Sequence, residues 1–92
     1  MRFTWDSAKD GINFRKHGIS FETAKEVFSD PFHLVVENDS TATEERMMAI
    51  GTVRNLTLVA VVFVDRSAET IHIISARKAV AYEKSIYQEQ FD

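Results

Sequence analysis

Four groups of side chains in this sequence could handle a proton or a phosphate. The first is Arg15-Lys16-His17-Gly18, two cations and an imidazole beside a glycine. An imidazole ordinarily titrates near neutrality and suits proton transfer; Lys16 and His17 could face a phosphate. At a helix C-terminus the same cations complement the dipole and the free carbonyls. On the tetrapeptide alone that structural reading comes first. The second group is Glu44-Glu45-Arg46, which reads plainly as an exposed strand end with a surface ion pair of little energetic weight. The third is Arg77-Lys78, expected at the joint between a strand and a helix. Two cations at a helix N-terminus oppose its dipole, and such local violations tend to mark functional positions. The fourth is Glu83 with Tyr87, i, i+4 neighbours that share a helix face. Their plain alternative is a Glu–Tyr contact with Tyr87 as ordinary core.

Other chemistries have no residues to carry them. The chain has no cysteine, which removes disulfides, thiolate zinc sites and cysteine nucleophiles. His33 and His72 lack partners at metal-ligand spacing, so no metal site and no cofactor are expected. Gly11, Gly18 and Gly51 are isolated, and there is neither a glycine-rich phosphate loop nor a nucleophile elbow.

The elements that must position these groups can be read from pattern. Arg2 to Trp5 has the look of a short edge strand. Asp6 caps a helix running to about His17, ended by Gly18 in the left-handed conformation. The apolar pattern of that helix is imperfect, because Ile12 and Phe14 lie about 200° apart. Ser20 caps a second helix whose face is Phe21, Ala24, Val27 and Phe28, stopped by Pro31; the two helices form a hairpin. Strands follow at 32–37, 46–53, 56–64 and 70–76, with a polar loop at 38–43 and turns at 54–55 and 65–68. Short links between successive strands favour antiparallel neighbours. Val59, Val61, Phe63, Ile71 and Ile73 are expected in the core. A last helix starts near Lys78, with a wide apolar face from Ala79, Val80, Tyr82, Ile86, Tyr87 and Phe91. The fold class is α+β: two N-terminal helices, an antiparallel sheet covered on one face, and a C-terminal helix, in a single domain over residues 1–92.

The 92 residues are 45% hydrophobic and 27% charged, ordinary for a globular chain. The longest apolar run, residues 56–64, is strand-sized, so no membrane span is expected. The N-terminal residues hold no signal-peptide core. Without disulfides a domain this small is expected in the cytoplasm. The net charge of −3 argues against direct DNA binding by this chain alone, although clustering matters more than totals.

Together these segments resemble the BrnT family, toxins of bacterial type II toxin–antitoxin pairs. The resemblance is carried by Phe3-Thr4-Trp5-Asp6 with Lys9, by 13–22 (Asn13-Phe14-Arg15-Lys16-His17-Gly18-Ile19-Ser20-Phe21-Glu22) with Ala24, and by Val27-Phe28-Ser29-Asp30-Pro31. It continues through Glu44-Glu45-Arg46 with Ile50-Gly51, and through Ile73-Ile74-Ser75-Ala76-Arg77-Lys78-Ala79 with Glu83 and Tyr87. It implies a RelE-like fold, and a ribonuclease that needs no metal and arrests growth by cutting RNA and so inhibiting translation. It also implies a cognate BrnA-like antitoxin that binds operator DNA. Many members carry an Arg-rich last helix; here residues 80–86 keep only Lys84.

Metal-free RNA cleavage needs a base for the 2′-hydroxyl, a cation for the charge on phosphorus, and an acid for the leaving 5′-oxygen. Within the resemblance, His17 suits either proton role and Glu83 is a rival base. Arg46 and Arg77 suit the charge, since a guanidinium grips two phosphate oxygens at once. Arg15, Lys16 and Lys78 are the expected backbone contacts, and Tyr87 stacks or donates. The alternative is a non-catalytic toxin-like module that binds an antitoxin and tunes repression. An exposed His17 near Arg77 favours the enzyme; a buried His17 favours the module.

Overall fold

Thr57–Arg66 is the long strand about which the molecule is built, and its apolar run is buried because neighbours pair on both sides and layers cover both faces. In the computed structural model, residues 1–38, 45–67 and 69–92 are described. Most of the polar loop expected at 38–43, together with Glu44 and Ala68, lies outside them. The strands are β1 (Arg2–Thr4), β2 (Leu34–Glu37), β3 (Met47–Val53), β4 (Thr57–Arg66) and β5 (Thr70–Lys78), in spatial order β1-β5-β4-β3-β2. The helices are α1 (Ser7–His17), α2 (Phe21–Ala24) and α3 (Ala81–Gln88).

The sheet is mixed, which corrects the antiparallel expectation. β2 to β5 are antiparallel, but β1 runs parallel to β5, with Phe3 opposite Ile71. The expectation rested on short links, and no short link joins β1 to β5. Helices cover both faces rather than one. On one face Phe21, Ala24 and Val27, all fully buried, pack with Ala49, Val59, Val61, Phe63, Ile71, Ile73 and Ala76; the five expected core residues are among them. α3 lies on the other face, where Ile50 and Ala60 are buried.

The second helix does not continue to Pro31. After one turn of α2 the chain tightens into a 3-10 stretch, Lys25–Ser29. Phe21, Ala24 and Val27 are spaced by three, and the three-residue turn keeps such residues in line over the sheet.

α1 docks through polar groups, which explains its imperfect apolar pattern. Ile12 and Phe14 are each 55% exposed, and the buried residue is Asn13. Its Nδ2 donates to the carbonyls of Ala76 and Ile19, both at 2.9 Å, and its Oδ1 accepts from the Ala76 N–H at 3.1 Å. Beyond His72, β5 has no strand on its outer side; the Asn13 amide serves the Ala76 backbone there.

β5 runs through Lys78, and the Ala79 N–H donates to the Leu58 carbonyl at 2.9 Å, so α3 begins three residues later than expected. Arg77 and Lys78 therefore end a strand, and the opposition to a helix dipole expected of them does not arise.

Candidate active site

Arg77 stands on the α3 side of the sheet, opposite Ala60. Its Nη1 and Nη2 donate to the two carboxylate oxygens of Glu83 at 2.8 and 2.9 Å. Glu83 is 4% exposed, and its Oε1 also accepts the Val80 N–H at the start of α3. The hydrogen bonds from Arg77 hold the Glu83 carboxyl below its usual range against the opposing effect of burial. Glu83 in turn raises the Arg77 guanidinium. The pair takes one edge of the fork; Nη1 also reaches the Lys78 carbonyl at 3.3 Å. The Nε edge has no partner among the described residues. A fork held this way is an oriented donor for a second anion.

Next to Arg77 the same sheet face is open. Ser75, Val62, Met48 and Val36 stand opposite one another across four strands, and all are half-buried. Arg46 lies one step beyond Met47, and alternation puts it on this face. Its buried Nε has no hydrogen-bond partner among the described residues. Four residues separate Arg46 from Ile50, which stands in line with Ala60 and Arg77. That is about 13 Å along the strand and two strand spacings of about 4.8 Å across. The Cα atoms of Arg46 and Arg77 therefore lie about 16 Å apart on one face.

At the β5 edge of that face, Lys16 and His17 line an open depression of about 220 Å³ with Lys9, Ile12, Ile74 and Ser75. His17 is half-buried and Lys16 exposed. Two of the expected contacts stand elsewhere. Arg15 is exposed about 200° around α1 from Asn13. Lys78 is exposed and, being next to Arg77 on a strand, leaves toward the opposite face.

Tyr87 is 7% exposed, and its hydroxyl donates to Asp30 Oδ2 at 2.6 Å. The ring is packed against Phe91, so it offers no free face or donor of the kind expected for RNA contact. Asp30 also accepts the Thr52 N–H, the Thr52 hydroxyl and the Phe32 N–H. Burial pushes the Asp30 carboxyl up, but these bonds outweigh it and the group lies below its usual range. Burial and the Asp30 bond push the Tyr87 phenol up. Among the described residues no group of three His, Asp or Glu side chains is placed to hold a metal ion, and no helix is long and apolar enough to cross a membrane.

The model of the family described as the ribonuclease toxin BrnT of type II toxin–antitoxin systems matches residues 5–83. The chain belongs to the BrnT family. The crystal structure of the Brucella abortus ribonuclease toxin BrnT is similar to it over 87% of this chain and 97% of that one, with 30% identity and a TM-score of 0.64. No curated protein sequence matches. Membership of this family of ribonuclease toxins implies a cognate antitoxin as partner.

Within this BrnT-family fold the structure joins Arg77 to Glu83, and Lys16 to His17, at adjacent places along β5. It leaves Arg46 at the far end of the face. Asp30, Asn13 and Lys9 were not singled out for roles. Asp30 had a signal, a carboxylate before the proline that ends a helix. So did Lys9, whose i, i+3, i+7 spacing with Ile12 and Lys16 marks one helix face.

Proposed function

We propose that this chain is the metal-independent endoribonuclease of its toxin–antitoxin pair, a RelE-like toxin of the cytoplasm that cuts RNA and so inhibits translation and growth. The observation that carries the reading is the Arg77 guanidinium, held on one edge by the buried Glu83 and unengaged at Nε. The free edge holds the scissile phosphate and meets the charge that develops on its oxygens. His17, half-buried in the open depression, serves one of the two proton steps, at the 2′-hydroxyl or the leaving 5′-oxygen, and water serves the other. Lys16 holds the strand there, and Arg46 is a more distant phosphate contact at the far end of the face. Arg15 and Lys78 stay outside this core of the site as peripheral contacts.

Glu83 is better suited to fix Arg77 than to act as base, since both its oxygens already accept hydrogen bonds and its pKa is lowered. Tyr87 acts at one remove, tying α3 to Asp30. The chemistry uses the RNA's own 2′-hydroxyl as nucleophile, with no step that calls for a metal. The antitoxin is BrnA-like and DNA-binding, and it neutralises by covering this face. The test is cleavage of single-stranded RNA by the purified chain with a chelator present. Retained cleavage that is lost in His17→Gln supports the reading; no cleavage by the folded chain under any ionic condition overturns it.

A further inference from the structure

The depression between α1 and the outer edge of β5 has a composition that the scissile-phosphate site does not account for. Lys9, Ile12 and Lys16 fall at i, i+3 and i+7 on α1 and face Ile74 and Ser75. Neither Lys9, Lys16 nor His17 has an ion-pair partner among the described residues. The acidic residues of the same helix are turned to other work. Asp6 caps the first turn through the Ala8 and Lys9 N–H groups, and Asp10 accepts the Phe21 N–H at 2.9 Å. The negative end of the α1 dipole, equivalent to roughly half a charge, is outweighed by two ammonium groups. On a chain of net charge −3, a depression lined by unpaired cations and without a carboxylate is an anion site. Its apolar part, Ile12 and Ile74, suits the flat face of a base.

Its position fixes which anion. Ser75 and Arg77 lie two residues apart on one side of β5, about 6.6 Å along the strand, a step within reach of one nucleotide. Resting on the ribonuclease reading above, we infer that this depression is the subsite for the nucleotide adjoining the scissile phosphate, with Lys9 and Lys16 on that nucleotide's phosphate and Ile12 and Ile74 against its base. Lys9 is then a substrate-positioning residue.

The experiment measures binding of a short single-stranded RNA, 2′-O-methylated so that it cannot be cut, over a series of salt concentrations. Each lost phosphate contact lowers the slope of log K against log salt by about 0.7. Lys9→Gln should lower it by that amount and weaken binding several-fold at low salt. Glutamine is nearly as good a helix former as lysine, so the fold is kept. Lys25→Gln, whose lysine pairs with Glu22, should leave the slope as in the parent chain. A parent slope in Lys9→Gln, with RNA cleavage by the parent chain intact, overturns the subsite alone. Weakened binding of the antitoxin by Lys9→Gln with an unchanged RNA slope overturns it too, and assigns the depression to protein. A parent chain that neither binds nor cuts RNA overturns the ribonuclease reading itself.

Discussion

Arg77 and Glu83 make opposite demands on a mutational test, because one bond serves both stability and the proposed chemistry. Removing Arg77 leaves Glu83 nearly buried without its partner. Breaking a fully buried pair costs ~3–5 kcal/mol. The Arg77 side chain is 38% exposed, so Arg77→Ala should cost about half that. The cost comes from the Glu83 carboxylate left without its guanidinium. Arg77→Lys is the better probe. It keeps a cation for Glu83 but loses the second edge of the fork. Cleavage should fall on the order of 100-fold, as when one oriented transition-state donor is removed, while the melting point drops by only a few degrees. Parent-rate cleavage by Arg77→Lys would refute the role given to this residue. Glu83→Gln should lose cleavage as well, by freeing the fork to turn. If Glu83 were instead the base, Glu83→Gln would abolish cleavage with Arg77 still in place, and the structure of that variant decides between the two.

Among the elements, Asp30 does the work of tying layers together. It ends the 3-10 stretch, supplies an acceptor to β3 at Thr52, and takes the hydroxyl of Tyr87 from α3. Hydrogen bonds to a charged group are worth about 1.5–3 kcal/mol each, so Asp30→Asn should lower the melting point by roughly 10 °C or more. The sign of the pH effect follows from the shifts. Asp30 and Glu83 both lie below their ordinary values in the folded chain. Their stabilisation is complete above the ordinary carboxylate range and is lost as pH falls below about 4. Tyr87 is shifted up, so its contribution is lost as pH rises past about 10. Melting curves across pH should show both limbs, and Asp30→Asn should flatten the acid one. The same corner is tightly packed. A Cβ on Gly51 would sit 3.0 Å from Val27 and His33 and 3.2 Å from Asp30 Oδ2, so Gly51→Ala should destabilise by about 1–3 kcal/mol, read from a denaturant midpoint. Much of this arrangement was legible in advance. The strands β2 to β5 follow from apolar runs and short turns, and the Ser20 and Asp6 caps fall where their side chains suggested. What escaped was set by groups far apart in sequence. α1 turns inward on Asn13 because the Ala76 backbone needs a partner, which no apolar period reports. The direction of β1 has no link to constrain it. Arg77 and Glu83 were chosen by type, but their bond could be read only once β5 was seen to run through Lys78.

For the whole molecule, the deciding quantity is where charge sits. The chain is acidic in total, and the last helix contributes one lysine. Two cations without an ion-pair partner among the described residues, Lys9 and Lys16, stand with His17 at one edge of β5, beside the half-buried row of Ser75, Val62, Met48 and Val36, with Arg46 beyond. A surface of this kind attracts RNA and an acidic protein segment alike. That dual appeal is what a neutralising partner needs, because it can compete for the substrate's own contacts without changing the fold. The expected outcome is specific. Co-expressed with its operon neighbour, the chain should purify as a complex that does not cut RNA, and His17, Lys9 and Lys16 should be shielded from chemical modification within it. Separated from the partner and refolded, it should cut RNA and expose the same side chains. Expressed alone, it should stop growth, and Arg77→Lys should relieve the arrest while still capturing the partner, since the partner's contacts are spread over the face and one cation remains at that position. A complex that cuts RNA at the rate of the free chain would show that the antitoxin docks elsewhere. The face described here would then belong to substrate alone.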